Sequence, residues 1–141
     1  MADSVDEIYW GIRRVKTLLV VDDEKHIRML YKEILEKEGY KVFFAENGQR
    51  AFSMIEKEQI DLVILDMRMP DVSGVDVLQK LGTKKHHPLV LINSAYSGYM
   101  EDHHCWIAED YIIKSSDLTE LLNKIKVVLK KKDSKLAKIK I

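Results

Sequence analysis

One cysteine, Cys105, stands in a chain of 141 residues, so no disulfide can form within it. A reducing compartment fits that best. There are only two prolines and six glycines, and no Pro- or Gly-rich stretch marks a linker. The length suits one domain with a proper core. Neither charge is in excess, because 23 Lys and Arg face 23 Asp and Glu. Net charge therefore singles out no partner. The opening MADSVDEIYWGIRRVK has no apolar run of signal-peptide length, and no stretch approaches a membrane span. These absences predict a cytoplasmic protein with no membrane partner and no direct contact with nucleic acid.

What the chain does have is a series of short apolar runs, at 17–21, 42–45, 62–65, 89–92 and 111–113. They recur every 20 to 25 residues, and helix-like segments lie between them. That alternation describes a parallel sheet. The runs are too uniformly apolar to be half exposed, so helices should cover both faces. A first helix is expected over 24–38, where Ile27, Leu30, Tyr31, Ile34 and Leu35 share one face and Gly39 follows as a stop. Asn47 caps a second, and Ser73 or Gly74 opens a third. A weaker helical pattern covers 97–108. The last helix starts with capping-box spacing at Asp117 and Glu120 and buries Leu121, Ile125, Val128 and Leu129. Five strands and five helices in alternation predict an α/β doubly wound five-stranded parallel sheet. The expected organisation is an N-terminal extension over 1–16, one domain over 17–130, and a basic tail over 131–141 that prolongs the last helix or frays.

Ligand sites of open α/β sheets lie beyond the carboxyl ends of the strands. There the chain places Asp22, Asp23 and Glu24 after the first run, Asp66 after the third, Ser94 after the fourth and Lys114 after the fifth. Taken singly, each reads as a turn or cap residue. Together on one rim they read as a site. Three converging carboxylates repel one another unless a cation intervenes, and oxygen ligands suit Mg²⁺ or Mn²⁺. A lysine and a hydroxyl are groups that hold a phosphoryl oxygen. The set describes carboxylates, metal and lysine around a nucleophilic Asp66.

At these residues the chain resembles the receiver domains of two-component response regulators. The similar stretches are LLVVDDE at 18–24, VILDMRMPDVSG at 63–74, NSAYSG at 93–98 and DYIIK at 110–114. The resemblance runs from about Thr17 to about Leu129. It implies strand order 2-1-3-4-5 in a flavodoxin-like sheet. It also implies a phosphoacceptor signalling domain rather than an enzyme. Asp66 would take a phosphoryl group from the phosphohistidine of a histidine kinase or phosphotransfer protein. Asp23 would bind Mg²⁺ directly, Asp22 through water, and the backbone carbonyl of Arg68 would complete the protein's ligands. The Ser94 hydroxyl would follow the phosphoryl oxygen, Lys114 would pair with it, and Tyr111 would be the aromatic switch. The downstream partner would be another protein or the next member of a relay, since 141 residues leave no room for an output domain. Whether phosphorylation drives dimerisation is open.

Three features depart from the family. Ser115 follows Lys114 where the family usually has Pro. Arg68 and Tyr96 are bulky at positions that flank the site. The segment between Ser94 and Tyr111 holds His103, His104, Cys105 and Trp106 and lacks the usual Gly. Ser115 and the crowded site favour an alternative, a phosphorylation-independent module that keeps the fold. Haloacid dehalogenase-like phosphatases need a second Asp two residues after the nucleophile, where this chain has Arg68. A flavodoxin needs a Ser/Thr/Gly-rich loop after the first strand, where it has DDE. The spacing of His86, His87, His103, His104 and Cys105 does not match a zinc site.

Overall fold

The structure, a computed structural model, describes residues 15–95 and 107–140, except the side chains of 135–140. Its elements are β1 (Thr17–Val21), α1 (Lys25–Lys37), β2 (Lys41–Ala45), α2 (Gly48–Lys57), β3 (Leu62–Leu65), α3 (Gly74–Gly82), β4 (Leu89–Ser94), β5 (Asp110–Ile113) and α4 (Thr119–Lys140). The strands form one sheet in the order β2-β1-β3-β4-β5, and every pair is parallel. This is the expected doubly wound order, which reverses direction beside β1.

Side chains alternate across each strand, and the two cores follow that alternation. Leu18 and Val20 of β1, Leu62 and Ile64 of β3, Leu91 of β4 and Ile112 of β5 join Tyr31 and Leu35 of α1 and Leu121 and Ile125 of α4. Leu19, Val21, Val63, Leu65, Val90 and Ile92 point the other way, onto Ala51 of α2 and Val77, Leu78 and Leu81 of α3. The uniformly apolar runs are therefore strands buried on both faces.

Helix ends follow local chemistry. Gly39 takes φ 97°, a conformation that lets α1 stop and the chain turn into β2. The Asn47 side chain accepts from Arg50 N, and the Ser73 side chain accepts from Asp76 N. At α4 the expected capping box gives way to a tighter arrangement. Asp117 Oδ1 accepts from both the backbone N and the hydroxyl of Thr119, at 3.0 and 2.6 Å. The basic tail continues α4 to Lys140.

Two further expectations change. The five described strands come with four described helices. The expected helix over 97–108 falls mostly on residues outside the described ones, and residues 107–109 lead into β5 without an α-helix. β4 runs two residues past its apolar stretch. Asn93 and Ser94 pair with Ile112 and Ile113, so the strand ends where the neighbouring strand does rather than where apolarity ends.

Candidate functional site

The carboxyl ends of β1, β3, β4 and β5 bring Asp22, Asp23, Asp66, Ser94 and Lys114 to one rim. Backbone bonds set the depth of the two strand-end carboxylates. Asp22 N donates to Ala45 O and Asp66 N donates to Val21 O, both at 3.0 Å. Asp22 and Asp66 are buried, at 2% and 7% exposure, whereas Asp23 faces solvent. One carboxylate oxygen from each lies within 4.8 Å of the others.

Lys114 reaches across this group. Its Nζ stands 2.7 Å from Asp22 Oδ2, 3.1 Å from Asp66 Oδ2 and 3.8 Å from Glu24 Oε1. Its own backbone N donates to Ser94 O at 2.8 Å, which ties the lysine to the end of β4. The Lys114–Ser115 peptide is trans, so the chain reaches this geometry without the family's usual proline.

Burial pushes the Asp66 carboxyl above its ordinary pKa, against the lowering effects of the Lys114 charge and of the Arg68 N–H, which donates to Asp66 Oδ1 at 3.2 Å. Burial also works against the Lys114 ammonium. The hydrogen bond and charge of Asp22, then those of Asp66, outweigh it and hold the lysine well above its ordinary value. Asp22 and Asp66 thus share the Lys114 ammonium, and Asp23 completes a trio of carboxylates beside it. All their ligand atoms are hard oxygens, which fits a divalent cation such as Mg²⁺ or Mn²⁺ and not a soft metal.

A cleft of about 400 Å³ opens beside the trio, lined by Asp23, Met67, Arg68, Met69, Pro70 and Ser73. Its wall depends on Gly74. A Cβ there would meet the Met67 Cα at 2.6 Å and the Asp66 carbonyl oxygen at 3.0 Å. Gly74 N donates to Met67 O at 2.9 Å, so the loop after β3 folds tightly back on itself. Asp71 then fastens that loop to α2 by accepting from Gly48 N and Gln49 N. Its slight desolvation is outweighed by these and other backbone N–H donors, which lower its pKa.

Ser94 is fully buried at the end of β4. Tyr111 is half-buried and packs against the same core as Ile92, its partner in register. Ser94, two residues beyond Ile92, faces that side as well. Tyr96 lies outside the described residues.

Sequence reasoning missed one buried pair. Asn93 Nδ2 donates to Tyr31 Oη at 2.7 Å, and the two residues are 3% and 2% exposed. Tyr31 reads as one apolar position of α1 among five. Its partner lies 62 residues away, and no local pattern announces it.

The profile of the response regulator receiver domain matches residues 18–126, and the chain belongs to that family. It is 40% identical over 79 residues to the sporulation initiation phosphotransferase F of Bacillus subtilis, a match covering 56% of this chain and 64% of that one. It is 30% identical over 123 residues to the transcriptional regulatory protein SrrA of Staphylococcus aureus, covering 83% of this chain and 49% of the relative. The chain therefore spans only about half to two thirds of these relatives' lengths, 49% of one and 64% of the other. Among solved structures it resembles the response regulator protein TrrA of Thermotoga maritima, crystallised in complex with Mg(2+)-BeF, at 43% identity and TM-score 0.76. That likeness covers 79% of this chain and 97% of the other. TrrA in complex with the histidine kinase ThkA gives the same identity and score over 82% and 99%. No described helix is long and apolar enough to cross a membrane.

Proposed function

We propose that this receiver domain takes a phosphoryl group on Asp66 from a phosphohistidine of a histidine kinase or phosphotransfer protein, and signals by changing its contacts with a downstream protein. The observation that carries this reading is the trio of Asp22, Asp23 and Asp66 within 4.8 Å, with Lys114 Nζ bridging Asp22 and Asp66 at 2.7 and 3.1 Å. The complex of TrrA with a histidine kinase supports the choice of donor.

In the transfer, an Asp66 oxygen attacks phosphorus while the bond from phosphorus to the histidine nitrogen breaks. The imidazole leaves with the electron pair and takes a proton from solvent. Asp66 is suited to this because Arg68 N orients one oxygen and Lys114 holds the other. Lys114 then passes from the carboxylate to a phosphoryl oxygen. Asp22, Asp23, Asp66 and the Arg68 carbonyl would hold Mg²⁺ or Mn²⁺, which when bound neutralises charge on the transferring group. The Ser94 hydroxyl follows the phosphoryl oxygen. Tyr111, on the same side of the sheet, moves into the space released, and the face it belongs to carries the signal.

Intact-protein mass spectrometry after incubation with Mg²⁺ and acetyl phosphate tests this. One added phosphoryl group is expected in wild type, and none without metal or in Asp66→Asn. No adduct together with no Mg²⁺ binding would favour the phosphorylation-independent module instead.

A further inference from the structure

Asn93 occupies a position where the strand pattern calls for an apolar side chain. It lies two residues beyond Leu91 and in register with Ile112, and both of those belong to the core under α1 and α4. An amide there is tolerated because Tyr31 Oη accepts from it at 2.7 Å. The pair sits directly behind the site. Asn93 precedes Ser94, and Ser94 O accepts from Lys114 N. Tyr31 lines a cleft of about 310 Å³ together with Lys114 and Ser115. Helix α1, the end of β4 and the lysine loop are thus joined in one circuit. Tyr31 holds Asn93, the next residue along the chain holds Lys114 by its carbonyl, and Lys114 Nζ holds Asp66 and Asp22.

We infer that the Asn93–Tyr31 hydrogen bond is a positioning pair that fixes the end of β4, and through it places Ser94 and Lys114 for phosphoryl transfer to Asp66. The inference rests on the proposed phosphorylation of Asp66. An apolar pair would fill the same space, but it would leave the strand end held by packing alone. The partner strand sets the length of β4, but a directional bond between two nearly unexposed groups holds its end more tightly in place than packing would, and small misplacements of transfer groups slow a reaction strongly.

The test is a double-mutant cycle on Tyr31→Phe, Asn93→Leu and the double variant. Phosphoryl uptake from acetyl phosphate at saturating Mg²⁺ is timed by intact mass, and Mg²⁺ affinity and melting temperature are measured alongside. Replacing both partners by apolar groups leaves no buried polar atom unpaired, so the double variant is the one most certain to fold. The expected result is uptake roughly 5- to 10-fold slower in each single variant and no slower than that in the double, because one bond is lost in all three. Mg²⁺ affinity should stay at the wild-type value, because none of the trio is altered. Wild-type uptake rates in all three variants, with only the melting temperature changed, would overturn the inference and leave the pair purely structural. Losses that multiply in the double variant would also overturn it. A wild type that takes up no phosphoryl group would overturn the reading beneath, and this inference with it.

Discussion

At the amino end of the sheet, Asp61 and Asp133 meet Lys132 and Lys16. At the carboxyl end, Asp22, Asp66 and Glu24 meet Lys114, and Asp23 lies beside Asp22 and Asp66. Lys16 Nζ lies 2.6 Å from Asp133 Oδ1, and Lys132 Nζ lies 3.4 Å from Asp61 Oδ1. Asp61 is buried, and its second oxygen accepts from the Thr17 N–H at 2.8 Å. Two carboxylates there face two ammonium groups, and the buried one also receives a backbone donor. Such a cluster is complete, and its work is to fasten β1, β3 and α4 together. At the carboxyl end, three carboxylates each bring an oxygen within 4.8 Å of the others, and Lys114 Nζ contacts two of them, with Glu24 at 3.8 Å. The two ends use the same residue types, so a buried Asp by itself does not mark a site. The convergence of three carboxylate oxygens does, because such a cluster suits a divalent cation.

That contrast implies an order of effects. The largest is expected for Asp66→Asn, with phosphoryl uptake lost altogether by mass spectrometry while the fold persists. An asparagine keeps the shape and drops a buried charge. Next is Lys114→Met. Without the ammonium, Asp22 and Asp66 face each other in a nearly buried setting, at an expected cost of about 3 kcal/mol in metal-free buffer. Added Mg²⁺ should raise the melting temperature of this variant more than that of wild type, since the ion then substitutes for the lysine. A variant no less stable than wild type without metal would show that Lys114 is not what balances the trio.

At the amino end, Asp61→Ala should cost about 2 kcal/mol by urea unfolding, because the Thr17 N–H loses its acceptor and Lys132 its partner. Phosphoryl uptake should be unchanged. A fall in uptake there would show that the two ends are coupled and that the division drawn between them is wrong. Asp23→Asn should do the reverse. Asp23 is exposed, so metal-free stability holds while Mg²⁺ affinity drops by at least about 10-fold.

The smallest effect is expected at the surface pair of Asp110 and Lys124, 2.8 Å apart with side chains 42% and 36% exposed. The hydrogen bond from Lys124 holds the Asp110 carboxyl below its ordinary value, aided by the Tyr111 N–H and opposed by slight burial. A lowered folded-state pKa stabilises above the ordinary value of 3.8 and ceases to do so as pH falls through the lowered one. Melting curves of Asp110→Asn and wild type should therefore differ slightly at neutral pH and converge in acid. The neutral-pH gap should be a small fraction of the Asp61 effect, because solvent screens the pair.

The strands and the rim were legible in the sequence because both are local. Leu62 to Leu65 can only be buried on both faces, and Asp66 comes next along the chain, so the carboxylate must emerge at a strand end. The same holds for Asp22 after β1 and Lys114 after β5. Helix starts were legible where the capping group and its target are three residues apart, as at Asn47 and Ser73. The end of β4 was not, because strand length there follows the partner strand rather than the apolar run. Nor was the capping of α4, where Asp117 had two near neighbours to choose between and took Thr119.

By itself, then, the sequence determined the alternation of strands and helices, the two-sided burial of the sheet and the residue types on its carboxyl rim. Each of these is written in periods of two and 3.6 residues and in the polar residues that end each apolar run. Tertiary structure alone decided who meets whom. It gave Asn93 to Tyr31 across 62 residues, Lys132 to Asp61 across 71 and Lys16 to Asp133 across 117. It also placed one lysine between two of three carboxylates. The physical reason is that a periodic pattern specifies which face a side chain takes. Its partner on that face is set only when the layers pack, and packing selects among the many polar groups that the pattern leaves equivalent.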